Sequence, residues 1–165
     1  MGIRHLTCIT VLACLCCLSV SCTKSKDYYE EYRQLPGESW DMDKPLTFAF
    51  DITDTAIPYR LNLNFRYTDA FPWQDIFLFL QSTLPDGSLS RDTLHCPLFE
   101  PDGRPMGNGH RVKELEVAYS LLRFPMPGHY TLHFSQGMRA KKVNGIISFG
   151  ISLKKTGSEN ISSKP

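Results

Sequence analysis

The chain has 165 residues, with 18 Lys and Arg against 17 Asp and Glu, 12% aromatic residues and six cysteines. That length suits one domain with a real core and excludes most two-domain enzymes. A formal charge of +1 gives no electrostatic reason to expect a nucleic-acid partner.

Five of the six cysteines, Cys8, Cys14, Cys16, Cys17 and Cys22, crowd the N-terminus, so the even count does not describe a disulfide scaffold. Arg4 followed by an apolar run from Cys8 to Val20 is the pattern of a secretory signal. The run is shorter than the roughly 20 residues a membrane-spanning helix needs. Ser19-Val20-Ser21-Cys22 places a small residue before a cysteine, as lipoprotein processing requires. Val11-Leu12-Ala13-Cys14 fits the local pattern slightly better, but it leaves an apolar region too short for export. The expectation is a cleaved signal over 1–21, a lipidated Cys22 and a tether over 22–27. Three acyl chains on Cys22 suffice for stable membrane anchoring, where a single chain is marginal.

Removal of residues 1–21 takes away Arg4 and no acid, leaving 17 basic and 17 acidic residues. The signs are uneven: ten acids and four bases lie between Asp27 and Asp75, and after Gln136 six bases face only Glu159.

From residue 28 onward, strand patterns dominate. Phe48, Phe50 and Ile52 form an alternating row, and Tyr59, Leu61, Leu63, Phe65 and Tyr67 alternate with Arg60, Asn62, Asn64 and Arg66. Ile76 to Leu80 is continuously apolar, which predicts a strand covered on both faces. Leu94, Cys96 and Leu98 predict an edge strand, because Pro97 lacks a ladder donor. Leu115, Val117, Tyr119 and Leu121 alternate, as do Tyr130, Leu132 and Phe134, and then Ile147, Phe149, Ile151 and Leu153. Pro85-Asp86-Gly87, Pro101-Asp102-Gly103, Gly107-Asn108-Gly109 and Pro127-Gly128 supply turns between them. No stretch sustains a helical period. The reading is all-β: a single antiparallel β-sandwich, jelly-roll or Ig-like, of about eight strands over 28–155, with a disordered tail over 156–165.

Catalytic constellations are missing. There is no nucleophile elbow, phosphate loop, His-Glu-x-x-His or Cys-x-x-Cys pair beyond the signal. His129 and His133 have helical ligand spacing but lie on a predicted strand, about 13 Å apart, and read as solvent-facing. Cys96 falls on the apolar phase of its strand and reads as a small buried hydrophobe. No catalytic residue, cofactor or metal site is expected. The aromatics Trp40, Tyr67 and Phe71-Pro72-Trp73 either close the ends of the core or present rings to a sugar or a protein, with Trp73 the prime candidate.

An ordered series of short motifs runs through the chain. It comprises Tyr29-x-x-Tyr32, Asp54-Thr55, Phe65-Arg66-Tyr67, Phe71-Pro72 with Phe77-Leu78-Phe79, Leu84-Pro85-Asp86-Gly87 and Asp92-Thr93. Gly107-x-Gly109, Phe124-Pro125 with Gly128-x-Tyr130, and Gln136-Gly137-Met138-Arg139 complete it. In order and spacing, behind a lipoprotein signal, the series resembles the GldH-type gliding-motility lipoproteins of Gram-negative bacteria, over roughly Tyr28 to Lys155. The resemblance departs at Pro105-Met106, where an aromatic precedes the glycine turn in the family, and at Phe71-Pro72-Trp73, where Tyr-Pro-Tyr is more usual. It implies a non-enzymatic accessory component of an envelope motility apparatus coupled to protein secretion. Asp54 and Asp92 are expected to tie loop backbones through side-chain hydrogen bonds. Met138 and Arg139, beside Gly137, suit a partner contact. The alternative is a glycan-binding module on the envelope using Trp73. Thr23-Lys24-Ser25-Lys26 carries neither an acidic cluster nor an Asp after Cys22, which points to the periplasmic leaflet of the outer membrane.

Overall fold

A computed structural model describes residues 28–156. The expected signal, the lipidated Cys22, the tether and the tail beyond Thr156 lie outside the described residues. The strands, in chain order, begin with β1 (Tyr29–Gln34), which a 3-10 turn (Pro36–Glu38) joins to β2 (Ser39–Asp41). There follow β3 (Leu46–Ile52), β4 (Tyr59–Tyr67), β5 (Asp75–Thr83) and β6 (Leu89–Pro97). The series ends with β7 (Lys113–Leu122), β8 (Gly128–Gln136), β9 (Lys142–Asn144) and β10 (Ile146–Lys155). Among the described residues there is no α-helix, as the missing 3.6 period predicts.

Eight long strands make two four-stranded sheets, ordered β1-β10-β4-β7 and β3-β8-β5-β6, and β2 with β9 forms a short ribbon. All pairings are antiparallel. The inward residues of both sheets share one core. Phe149 of β10 lies 5.9 Å from Phe48 and 5.0 Å from Phe134 of the other sheet, and 5.2 Å from Trp40 of the ribbon. Each such ring, fully buried, contributes on the order of 1.5–3 kcal/mol, which lets the fold stand without a disulfide. Cys96 is the free thiol of the described residues and is buried.

Three expectations need correction. Ile76–Leu80 is not covered on both faces: Ile76, Leu78 and Leu80 are buried, whereas Phe77 and Phe79 are exposed. Leu121 does not continue the inward row of β7. The pairing with β4 jumps from Leu61–Ser120 to Asn62–Ala118, leaving Tyr119 as an extra residue. A bulge of this kind inverts the phase beyond it, so Leu121 points out at 56% exposure and Leu122 packs on the core. Asp92 lies within β6 rather than in a loop. Its carboxylate accepts from the Thr93 N–H at 2.7 Å and the Tyr119 hydroxyl at 2.5 Å, linking the edge strands β6 and β7. Asp54 does brace a loop, accepting from the Ala56 N–H at 3.0 Å.

The loop entering β5 is fixed from below. Gly145, between β9 and β10, has φ +85°, and a Cβ there would lie 2.2 Å from the Phe71 nitrogen. Its carbonyl accepts from the Thr68 N–H at 2.8 Å, and its own N–H donates to Glu38 at 2.8 Å. Only glycine permits both the positive φ and this approach.

Candidate interaction surface

The candidate site grows from the alternation of β5. As an interior strand it buries Ile76, Leu78 and Leu80 inward, so Phe77 and Phe79 must point outward. Their neighbours across the ladder are polar: His95 opposite Phe77, Thr93 opposite Phe79 on β6, and Ser135 opposite Phe79 on β8. Phe77 stacks on His95 with ring centroids 4.8 Å apart and planes 20° from parallel, and His95 Nε2 lies 3.3 Å from Asp75 Oδ2. Phe77 is 42% exposed and Phe79 is 53% exposed. Two adjacent rings on an otherwise wet sheet face form an apolar patch of the kind that marks an interface. Beyond Phe79 the same face opens into a depression of about 780 Å³ bordered by Pro45, Gln81, Arg91 and His133.

The turn after β8 frames this patch. The Gly137 N–H donates to the Phe77 carbonyl at 2.7 Å, extending the ladder beyond the strand, and the Phe77 N–H points at Met138 Sδ at 3.4 Å. A Cβ on Gly137 would meet the Phe79 ring at 3.2 Å, so the missing side chain lets the turn lie against that ring. Gln136 holds the turn. Its buried amide donates to the Ala140 carbonyl at 2.8 Å and accepts from the Met138 N–H at 2.8 Å. Met138 packs partly into the core, and Arg139 stands exposed at the apex.

Trp73 belongs to the loop entering β5. It meets Phe71 edge-on at 5.6 Å, and Phe71 stacks in parallel on Phe99 at 6.3 Å. Trp73 is 37% exposed at the mouth of a depression of about 260 Å³ lined by Phe71, Pro72, Phe99 and Pro101. Trp40 and Tyr67, the other candidate rings, are fully buried. The Tyr67 hydroxyl is shared between the carbonyls of Leu98, at 2.5 Å, and Met106. Thus the structure brings the Trp73 loop and the Met138-Arg139 turn to the same end of β5, and places Phe77 and Phe79 beside them. Sequence reasoning overlooked those two rings. The signal that finds them is the polar outward row of the neighbouring β6 and β8.

The remaining candidates are spread out. His129 Nδ1 lies 3.0 Å from Asp51 Oδ1, and His133 Nδ1 lies 2.9 Å from Thr47 Oγ1, each facing outward on β8. Among the described residues no three His, Cys, Asp or Glu side chains gather as a metal site. Burial pushes the Cys96 thiol up to about 12, which keeps it protonated and inert.

Known proteins bear on this surface as follows. The GldH lipoprotein family matches residues 27–153. A gliding motility lipoprotein GldH of Flavobacterium johnsoniae is 33% identical over 132 residues, 78% of this chain and 80% of that protein. A homologue from Christiangramia forsetii is 28% identical over 145 residues, 82% and 88% of the two chains. Among solved structures, dimeric latent PorU from Porphyromonas gingivalis superposes with a TM-score of 0.33 at 14% identity. That superposition covers 82% of this chain and 14% of the other, and it carries no argument. With the family match spanning nearly all of the described residues, the chain belongs to the GldH lipoprotein family.

Proposed function

We propose that this protein is a non-enzymatic envelope lipoprotein that serves as an accessory component of a gliding-motility or secretion-associated complex. A β-sandwich over 28–155 is carried on a short tether from acylated Cys22, and it docks a protein partner through Phe77 and Phe79. The observation that carries this reading is the paired exposure of those two rings beside a braced turn. Met138, Arg139 and Trp73 form the rim of the contact: a soft thioether, a cation and an indole, residue types enriched at interfaces. The corner around Trp73 is lined mainly by Phe and Pro, which favours a protein over a sugar at that point.

The anchor and its side of the membrane rest on the sequence. Ser21-Cys22 behind the apolar run supports acylation, and Thr23 with the basic residues that follow supports the periplasmic leaflet of the outer membrane. Two experiments test the reading. Labelled palmitate is incorporated by the native chain and not by Cys22→Ala; undiminished label in the variant would sink the anchor. Crosslinking in intact cells recovers a motility or secretion component with the native chain, and recovery falls with Phe77→Ser/Phe79→Ser. Equal recovery by both refutes the docking surface.

A further inference from the structure

The sheet β1-β10-β4-β7 has an outer face of a different kind. The registers align its outward residues in rungs across all four strands. Gln34, Ser148, Arg66 and Glu114 form one rung; Tyr32, Gly150, Asn64 and Glu116 form the next. The two central strands contribute short side chains, Ser148 and Asn64 with Gly150 between them, whereas the flanking strands contribute long ones. The result is a trough of about 580 Å³ with a low floor and raised walls.

Two features of the trough point to a ligand. The floor residues face away from the core and yet are almost fully buried, Asn64 at 5% and Ser148 at 0% exposure. The amide nitrogen of Asn64 and the hydroxyl of Ser148 have no hydrogen-bond partner in the protein, and both side chains line the trough. Buried polar atoms are nearly always paired, because leaving one unpaired costs about 1–3 kcal/mol. Two such atoms at the bottom of one trough are a prepared set of partners for groups arriving from outside.

The chemistry of the walls selects the class. Glu114 is paired with Arg66 at 3.0 Å, and Glu116 with Lys154 at 3.0 Å. With its carboxylates already matched by cations, the trough holds no surplus charge to recruit an anion or a cation. What it offers is interleaved neutral donors and acceptors, with the ring of Tyr32 lying over Gly150 at 42% exposure and its hydroxyl donating to Glu30 at 3.0 Å. An aromatic platform beside amides, a hydroxyl and ion-paired carboxylates matches a ring that is apolar on its faces and rich in hydroxyls at its edge. We propose that this trough binds a neutral saccharide, which stacks on Tyr32 and places hydroxyls on Asn64, Ser148 and Gln34. The site is separate from the Phe77–Phe79 patch and owes nothing to Trp73.

The test uses the full lipidated chain, 15N-labelled in detergent micelles, titrated with a panel of neutral hexasaccharides: chitohexaose, cellohexaose, maltohexaose, mannohexaose and xylohexaose. At least one binds saturably with Kd below about 1 mM and moves the side-chain amide signals of Asn64 and Gln34. Tyr32→Ala and the exposed Gln34→Ala each weaken that binding by about tenfold, while Phe77→Ser/Phe79→Ser leaves it unchanged. Gln34→Ala alters no buried group, so its effect is not one of folding. The proposal is overturned if no member of the panel moves the Asn64 amide at ~10 mM. It is equally overturned if binding survives both trough substitutions, or if it is lost with the two phenylalanines instead.

Discussion

β4 and β5 hold equivalent places, each an interior strand of a four-stranded sheet, yet their outward rows are chemical opposites. β4 presents Arg60, Asn62, Asn64 and Arg66, while β5 presents Phe77, Phe79 and Gln81. On β4 the asparagines are buried on an outer face, and on β5 the phenylalanines are exposed on one. Each inverts the ordinary arrangement, in which outward polar groups meet water and apolar rings are covered. A polar group without a partner and a ring without a cover both signal that something outside the chain completes the surface. Because one surface is polar and the other apolar, one ligand cannot complete both. The molecule is therefore read as two-faced, with one face suited to a protein and the other to hydroxyls.

The most severe way to test that contrast removes what the two faces share. Phe149 touches rings from both sheets and the ribbon, so Phe149→Ala should cost about 3–5 kcal/mol and lower the melting temperature steeply. Both surfaces should be lost together. A mild loss in thermal denaturation would mean that the sheets are held independently.

Gln136→Ala acts on one side only. It strands the Met138 N–H and the Ala140 carbonyl, at a cost of about 1–3 kcal/mol. Hydrogen exchange should accelerate around 137–141 and stay unchanged along β4. A uniform acceleration would show that the turn is part of the global core.

Alkaline pH reports on the edge of the second sheet. The Cys96 thiol is raised by burial to about 12, so folding favours its protonated form. That contribution is complete below the unfolded thiol's range, near 9, and is lost as pH rises towards 12. The native protein should resist thiol reagents at pH 8 and react once denatured. Rapid labelling of the native state would place Cys96 outside the core.

Smallest in stability is the change at the patch itself. Phe77→Ser/Phe79→Ser removes exposed rings, and each substitution should move stability by no more than about 0.5 kcal/mol. Sharing of His95 between Phe77 and Asp75 is the one local contact that is lost. A drop of several degrees in melting temperature would recast the rings as part of the core.

Much of the strand content was legible because period-two alternation reflects one buried face, as in β4, β8 and β10. The edge role of β6 followed from Pro97. What escaped had physical causes. An apolar run such as Ile76–Leu80 looks the same whether its second face is covered by protein or left bare. The β7 bulge depends on pairing with β4, which local sequence does not encode, so Leu121 read as inward. The rungs of the trough join β1 to β10, strands more than a hundred positions apart. Of the interface, Met138 and Arg139 stood out as residue types. Gln136, which orders the turn, is recognised only by the carbonyl and N–H it reaches.

The central claim, that Phe77 and Phe79 form the contact with an envelope protein, is tested most directly by photo-crosslinking in living cells. A benzophenone amino acid replaces Phe79 in one strain and Gln34, on the opposite face, in another. The account predicts a discrete protein adduct from position 79 that contains a motility or secretion component, and none of that adduct from position 34. The same adduct at equal yield from both positions, or from position 34 alone, would contradict it.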